Sequence, residues 1–110
     1  MPSDAEWTIL TNYLGGIDVA GGKLKETGLS HWKDPNTGAT NESGFTALPG
    51  GYREHDGSTY WGIQYGGNFW TSTEYNLNEA LQRQAVYSGS YVDPGSIEKN
   101  DGFSVRCIKD

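Results

Sequence analysis

The side chains able to do covalent or acid–base chemistry are few and scattered. Imidazoles occur twice, at His31 and His55, and there is one thiol, Cys107. His55 lies in Arg53-Glu54-His55-Asp56-Gly57, which reads as an exposed turn. Ser72 precedes Glu74 by two residues, but no base and no oxyanion-hole motif accompanies it. Its hydroxyl is therefore expected to hydrogen-bond in or beside a sheet rather than attack a carbonyl. Glu74, Glu79 and Asp93 are carboxylates of the kind glycosidases use in pairs. With 14 acidic residues in 110, chance proximity accounts for such a set. One cysteine excludes an internal disulfide and a zinc cluster of several thiolates. Asp34, Asn36, Thr37, Asn41 and Glu42 offer hard oxygens that calcium accepts. Their spacing is not that of an EF-hand, and Asx turns use such side chains without any ion. No catalytic residue is expected, and calcium is the one cofactor worth weighing.

Chemistry of recognition has more support. The candidate binding residues are Trp61, Gln64, Tyr65, Tyr75, Asn76, Asn78, Gln82, Gln84 and Tyr91, in a stretch that also holds Tyr60, Asn68, Tyr87, Ser88 and Ser90. Rigid amphipathic rings beside adaptable amides and hydroxyls are what paratopes are made of. Aromatic faces with neighbouring amides also suit sugar rings. Some rings are needed for the core, because the apolar fraction is only 35%. Trp7, Trp32, Phe45, Phe69 or Trp70, and Phe103 are the expected core. Trp61, Tyr65, Tyr75 and Tyr91 are expected to face outward.

Those residues have to be positioned by one small domain spanning 1–110, with room for a modest core. The net charge of −6 argues against nucleic acid, whose binders cluster Lys and Arg, and against anionic membrane surfaces. No apolar run approaches the roughly 20 residues that cross a bilayer, so membrane insertion is not expected. Met1-Pro2-Ser3-Asp4 lacks the basic end and apolar stretch of a signal peptide.

Ser3-Asp4-Ala5-Glu6 has the form of a capping box. Trp7, Leu10 and Leu14 follow at helical spacing, and Gly15-Gly16 ends the helix. Ile17 to Gly28 is ambiguous: a helical turn at Val19–Gly22, then a short strand at Lys23–Glu26 with Leu24 inward. Asp34 to Gly38 forms turns in a long polar stretch that Trp32 pins to the core. Phe45–Leu48 reads as a short strand, and Tyr52–Arg53 pairs with Thr59–Ile63 through an Asp56-Gly57 hairpin. Phe69–Glu74, with aromatic and β-branched residues, reads as the central strand. Ala80–Ser88 alternates as a strand with Leu81, Arg83 and Ala85 on one side and Gln82 and Gln84 on the other. Asp93-Pro94-Gly95-Ser96 reads as a turn. Phe103–Ile108 reads as the last strand, with Phe103, Val105 and Cys107 on one face.

Four stretches taken together identify a family. They are Pro2-Ser3-Asp4-Ala5-Glu6-Trp7, Asn36 to Arg53 (Asn36-Thr37-Gly38-Ala39-Thr40-Asn41-Glu42-Ser43-Gly44-Phe45-Thr46-Ala47-Leu48-Pro49-Gly50-Gly51-Tyr52-Arg53), Phe69-Trp70-Thr71-Ser72-Thr73-Glu74, and Gly102-Phe103-Ser104-Val105-Arg106-Cys107. In this order they resemble the Fibrobacter succinogenes major paralogous domain, abundant in secreted and surface proteins of Fibrobacter and Bacteroidetes-type bacteria. The resemblance implies an α+β, C-type-lectin-like fold: a small twisted antiparallel sheet, one N-terminal helix and long Gly-rich loops. It also implies an extracellular or cell-surface location in a bacterium. Family members carry an upstream segment before the helix, so the chain is expected to be a truncated piece or a short variant. Phe103–Ile108 would then be an open edge available for association, and a partner for Cys107 would lie upstream. Formylglycine-generating enzymes resemble this fold but use a cysteine pair, so their chemistry is not expected here. Asp34-Pro35-Asn36 is similar to the Pro-containing motif of calcium-dependent lectins, but no Trp-Asn-Asp follows. Arg106 is expected to pair with a carboxylate such as Glu74. The implied function is a non-catalytic recognition or adhesion module that binds a glycan or a protein through residues 59–93. The alternative is a structural or assembly module of a larger surface protein.

Overall fold

Ser3 opens α1, Asp4–Tyr13, in a computed structural model that describes residues 1–109. The Ser3 hydroxyl accepts from the Glu6 amide and the Glu6 carboxylate accepts from the Ser3 amide, so the expected capping box is formed. Gly15 and Gly16, at φ of 106° and 103°, turn the chain out of the helix where Cβ-bearing residues would be strained. The ambiguous stretch that follows is a second helix, α2, Ile17–Leu24. Of the short strand expected at Lys23–Glu26, a single parallel bridge from Lys25 to Ala47 remains. Gly21 and Gly22 hide this helix from propensity, and close packing explains them. A Cβ on Gly21 would lie 1.9 Å from the Tyr91 carbonyl oxygen, and one on Gly22 would lie 2.2 Å from that of Gly38.

Five strands follow: β1 Gly50–Arg53, β2 Tyr60–Ile63, β3 Gly66–Glu74, β4 Glu79–Val86 and β5 Val92–Glu98. Their order is β2-β1-β3-β4-β5, with β3 in the centre as its composition predicted. The fold is α+β, but the sheet is mixed and curled rather than antiparallel, and it carries two helices. β1 runs parallel to β3 and meets it only at Gly51 and Gly67. Beyond that point β1 diverges, and Gly102–Ser104 fills the gap, bridging Gly102 to Arg53 and Ser104 to Phe69. The β1–β2 hairpin forms as expected, with Tyr52 opposite Trp61. Asp56 builds its turn: Oδ1 accepts from the Ser58 and Thr59 amides, and Oδ2 accepts from the Thr59 hydroxyl.

Three expected elements differ. Phe45–Leu48 is not a strand. Its backbone is bent by Thr46 at φ 55°, held by Asn41 Oδ1, and only Ala47 makes a bridge. Asp93-Pro94-Gly95-Ser96 is not a turn but the middle of β5, with Pro94 opposite Arg83. β5 is an edge, where the missing N–H of proline costs no ladder bond. Phe103–Ile108 is not a strand beyond the bridge at Ser104, and Val105 and Cys107 are exposed while Phe103 is half-buried. The sheet's open edges are β2 and β5 instead. Arg106 does not meet Glu74: it lies 4.2 Å from the centre of the Phe45 ring, and Glu74 pairs with Lys99.

The core lies between the helices and one face of the sheet. Trp7, Phe45 and Phe69 form a triangle with ring centres 5.6–6.1 Å apart, joined by Leu14, Ala20, Leu24, Ala47 and Val92. Arg83 is buried on this inner face and pairs with Asp4 of α1 at 2.7 Å. Trp32 is buried, and its indole N–H donates to the Ala47 carbonyl, pinning the polar stretch as expected. Lys25 is fully buried and donates to the carbonyls of Thr37, Val86 and Gly89 at 2.9–3.0 Å. Burial pushes its pKa down to about 8. Among the described residues no helix is long and apolar enough to cross a membrane.

Candidate functional site

Strand alternation sends Phe69, Thr71 and Thr73 toward the helices and Trp70, Ser72 and Glu74 to the opposite, outer face. On that outer face the aromatic residues line up across the strands. Trp61 of β2 faces Tyr52 of β1. The Tyr52 ring meets Phe103 edge-on at 5.7 Å, and Phe103 stacks on Trp70 of β3 at 4.6 Å and 26°. Trp70 in turn faces Gln82 of β4, and Gln82 faces Gly95 of β5. The row therefore runs from β2 to β4: Trp61, Tyr52, Phe103, Trp70, Gln82. Phe103 joins it because Gly102–Ser104 takes the place of a full β1–β3 ladder. Gln82 Oε1 is buried without a hydrogen-bond partner, although part of its residue is exposed. Burial, helped by the Glu54 and Asp101 carboxylates, raises the Tyr52 phenol above its ordinary pKa.

Beside Trp70 the outer face opens into a hollow of about 450 Å³, lined by Met1, Trp70–Glu74, Ala80 and Lys99. Its wall is a half-exposed indole, and its rim carries the Ser72 hydroxyl and the Glu74–Lys99 ion pair. That volume falls within the range of small-ligand clefts, about 300–1,000 Å³. An indole beside hydroxyl, carboxylate and ammonium groups can stack on the C–H face of a sugar while bonding its hydroxyls.

The nine expected binding residues fall at three places, one on the sheet's outer face and one at each end of it. Trp61, Gln82 and Gln84 share the outer face. Tyr75, Asn76 and Asn78 form the β3–β4 turn at one end, where Asn76 Oδ1 accepts from the Asn78 and Glu79 amides. Gln64 and Tyr65 form the β2–β3 turn at the other end, and Tyr91 lies between β4 and β5 at that same end. The nine residues of β3 make eight steps of about 3.3 Å, so the two ends lie about 26 Å apart. The expected outward rings Trp61, Tyr65, Tyr75 and Tyr91 are all exposed, from 38% to 62%. Phe103, expected in the core, lies instead on the outer face against Tyr52 and Trp70. Of the pair Phe69 or Trp70 it is Phe69 that is in the core, and neither Trp70 nor Tyr52 was expected in a binding face. The signal for Trp70 was present: Phe69 and Trp70 are neighbours in a strand and must point opposite ways. Thr71 and Thr73 against Ser72 and Glu74 show which way.

Elsewhere both imidazoles lie near carboxylates. His31 Nδ1 sits 2.8 Å from Glu26, and His55 faces Glu98 and Asp101. In the stretch weighed for calcium, Asn36 is buried and donates to the Glu26 and Gly28 carbonyls. Asn41 is bonded to Thr46 through both its amide nitrogen and its oxygen.

No curated protein and no solved structure matches the chain. The family model of the Fibrobacter succinogenes major domain matches residues 1–109, covering every stretch on which the resemblance was drawn. The chain belongs to the Fibrobacter succinogenes major domain family.

Proposed function

We propose that this domain is a non-catalytic recognition module that binds a glycan along the outer face of its sheet. The observation that carries the reading is the aromatic row from Trp61 to Trp70, ending at the hollow rimmed by Ser72, Glu74 and Lys99. A cross-strand row of rings offers successive apolar surfaces to an extended chain of sugars, and the amides of Gln82 and Gln84 lie beside it. The reading includes a C-type-lectin-like fold and an extracellular or cell-surface location in a bacterium, both implied by the family resemblance. The test is a glycan array on the intact domain, followed by Trp61→Ala and Trp70→Ala. Each change removes one ring of the row and is expected to weaken binding severalfold. Binding untouched by both changes places the site elsewhere.

One observation favours a second reading, a structural or assembly module. β2 is an open edge whose Tyr60 and Ile63 are 73% and 72% exposed, with no proline or charged residue between them. Such an edge is a template for pairing with another strand. Size-exclusion chromatography across concentration separates the readings. A dimer that Ile63→Lys dissolves favours assembly, and a monomer at all concentrations removes it.

A further inference from the structure

Where the β1–β2 turn meets the end of β5 and the segment that follows it, three ligand-type side chains converge. They are His55, Glu98 and Asp101, with one donor atom from each lying within 4.8 Å of the others. His55 Nδ1 is 3.5 Å from Glu98 Oε2 and 3.7 Å from Asp101 Oδ1. These separations exceed good hydrogen bonds, which run to about 3.2 Å for nitrogen and oxygen. They suit groups that share an ion: bonds of about 2.0–2.2 Å in a tetrahedron place donor atoms about 3.4 Å apart. Asp101 supplies the independent sign. It is only 8% exposed, and its Oδ1, directed at His55, is buried without any hydrogen-bond partner. A buried carboxylate oxygen left unpaired is costly, and a cation at this point satisfies it.

We propose that His55, Glu98 and Asp101 form a binding site for a divalent transition-metal ion of the zinc type. Two carboxylates and one imidazole leave a fourth position open to solvent, where His55 and Glu98 are more than half exposed. The imidazole nitrogen selects against calcium, which takes oxygen ligands. The ion joins the β1–β2 hairpin to the chain that enters Gly102–Ser104, and so steadies the segment that places Phe103 in the aromatic row. This site is separate from the Asp34–Glu42 stretch and does not rest on glycan binding.

Zinc chloride titrated into the intact domain is expected to bind with one equivalent by calorimetry and to raise the melting temperature by mass action. His55→Ala and Glu98→Gln change exposed side chains and are the variants to use, since the buried Asp101 also supports folding. Changes merely next to metal ligands already weaken binding about 10–100-fold, so each variant is expected to lose at least tenfold. His31→Ala removes the other imidazole–carboxylate pair and is expected to leave zinc binding intact. Three results overturn the proposal: no zinc binding at millimolar metal, binding abolished by His31→Ala but not by His55→Ala, or a melting-temperature rise with calcium and none with zinc.

Discussion

Replacing Lys25 by Met tests how the fold ties its loops together. The Lys25 ammonium donates to three carbonyls, from Thr37, Val86 and Gly89, and lies 5.3 Å from the centre of the Trp32 ring. Methionine matches the stem but donates nothing. Each buried carbonyl left without its donor costs about 1–3 kcal/mol. Against that, the substitution removes the penalty of burying a charge. A pKa lowered from 10.5 to about 8 sets that relief near 3 kcal/mol. At the middle of that range the three carbonyls together cost about 6 kcal/mol, so they win, and the net loss expected is about 3 kcal/mol, a large part of the roughly 5–15 kcal/mol that holds a domain together. Urea unfolding at neutral pH measures it. The pH dependence has a definite sign. Between about pH 8 and 10.5 the unfolded chain holds the Lys25 proton more tightly than the folded one, so this group makes the wild type more stable as pH rises through that window. The Met variant lacks that rise. A variant as stable as the wild type, or with the same pH dependence over the window, refutes the reasoning.

Other substitutions probe separate parts of the account. Gly21→Ala improves helix propensity by about 1 kcal/mol, yet its Cβ would meet the Tyr91 carbonyl at 1.9 Å. It is expected to lower the urea midpoint, and a raised midpoint would show that α2 can move away from that backbone. Asp56→Ala removes three acceptor contacts from the β1–β2 turn. The Thr59 hydroxyl and the Ser58 and Thr59 amides hold the Asp56 carboxyl down to about 2, so its support for the turn is complete above its ordinary value of 3.8 and fades as pH falls through 2. Amide resonances of Ser58 and Thr59 should follow that titration in the wild type; a midpoint near 3.8 contradicts the geometry. Arg83→Met takes away the 2.7 Å partner of Asp4, whose side chain is about one-third exposed, and destabilisation by about 1.5–3 kcal/mol is expected, the scale of a hydrogen bond to a charged group, read again by urea unfolding.

The local signals in the chain were strong where one short motif decides the geometry. The Ser3–Glu6 box, the Asp56-Gly57 hairpin and the β-rich run at Phe69–Glu74 are of this kind, and each is in place. The signals failed where a distant partner decides. Gly21 and Gly22 look like helix breakers until Tyr91 and Gly38 are seen packed on them. Pro94 and Gly95 look like a turn until β5 is seen to be an edge. Phe103–Ile108 alternates like a strand, but β1 and β3 part only far enough to admit Gly102–Ser104. The candidate site suffered in the same way. Exposure of single rings was legible, whereas the row joining Trp61, Tyr52, Phe103 and Trp70 depends on the register of three separate segments.

The four tryptophans give the most direct measurement, because each contributes one indole N–H resonance. Trp7 and Trp32 are buried in or beside the inner core, while Trp61 and Trp70 lie on the outer face. A ¹⁵N-resolved titration of the domain with the strongest glycan from the array should shift the Trp61 and Trp70 indole signals together and leave those of Trp7 and Trp32 in place. Saturable glycan binding that leaves both outer-face signals unmoved would contradict the account.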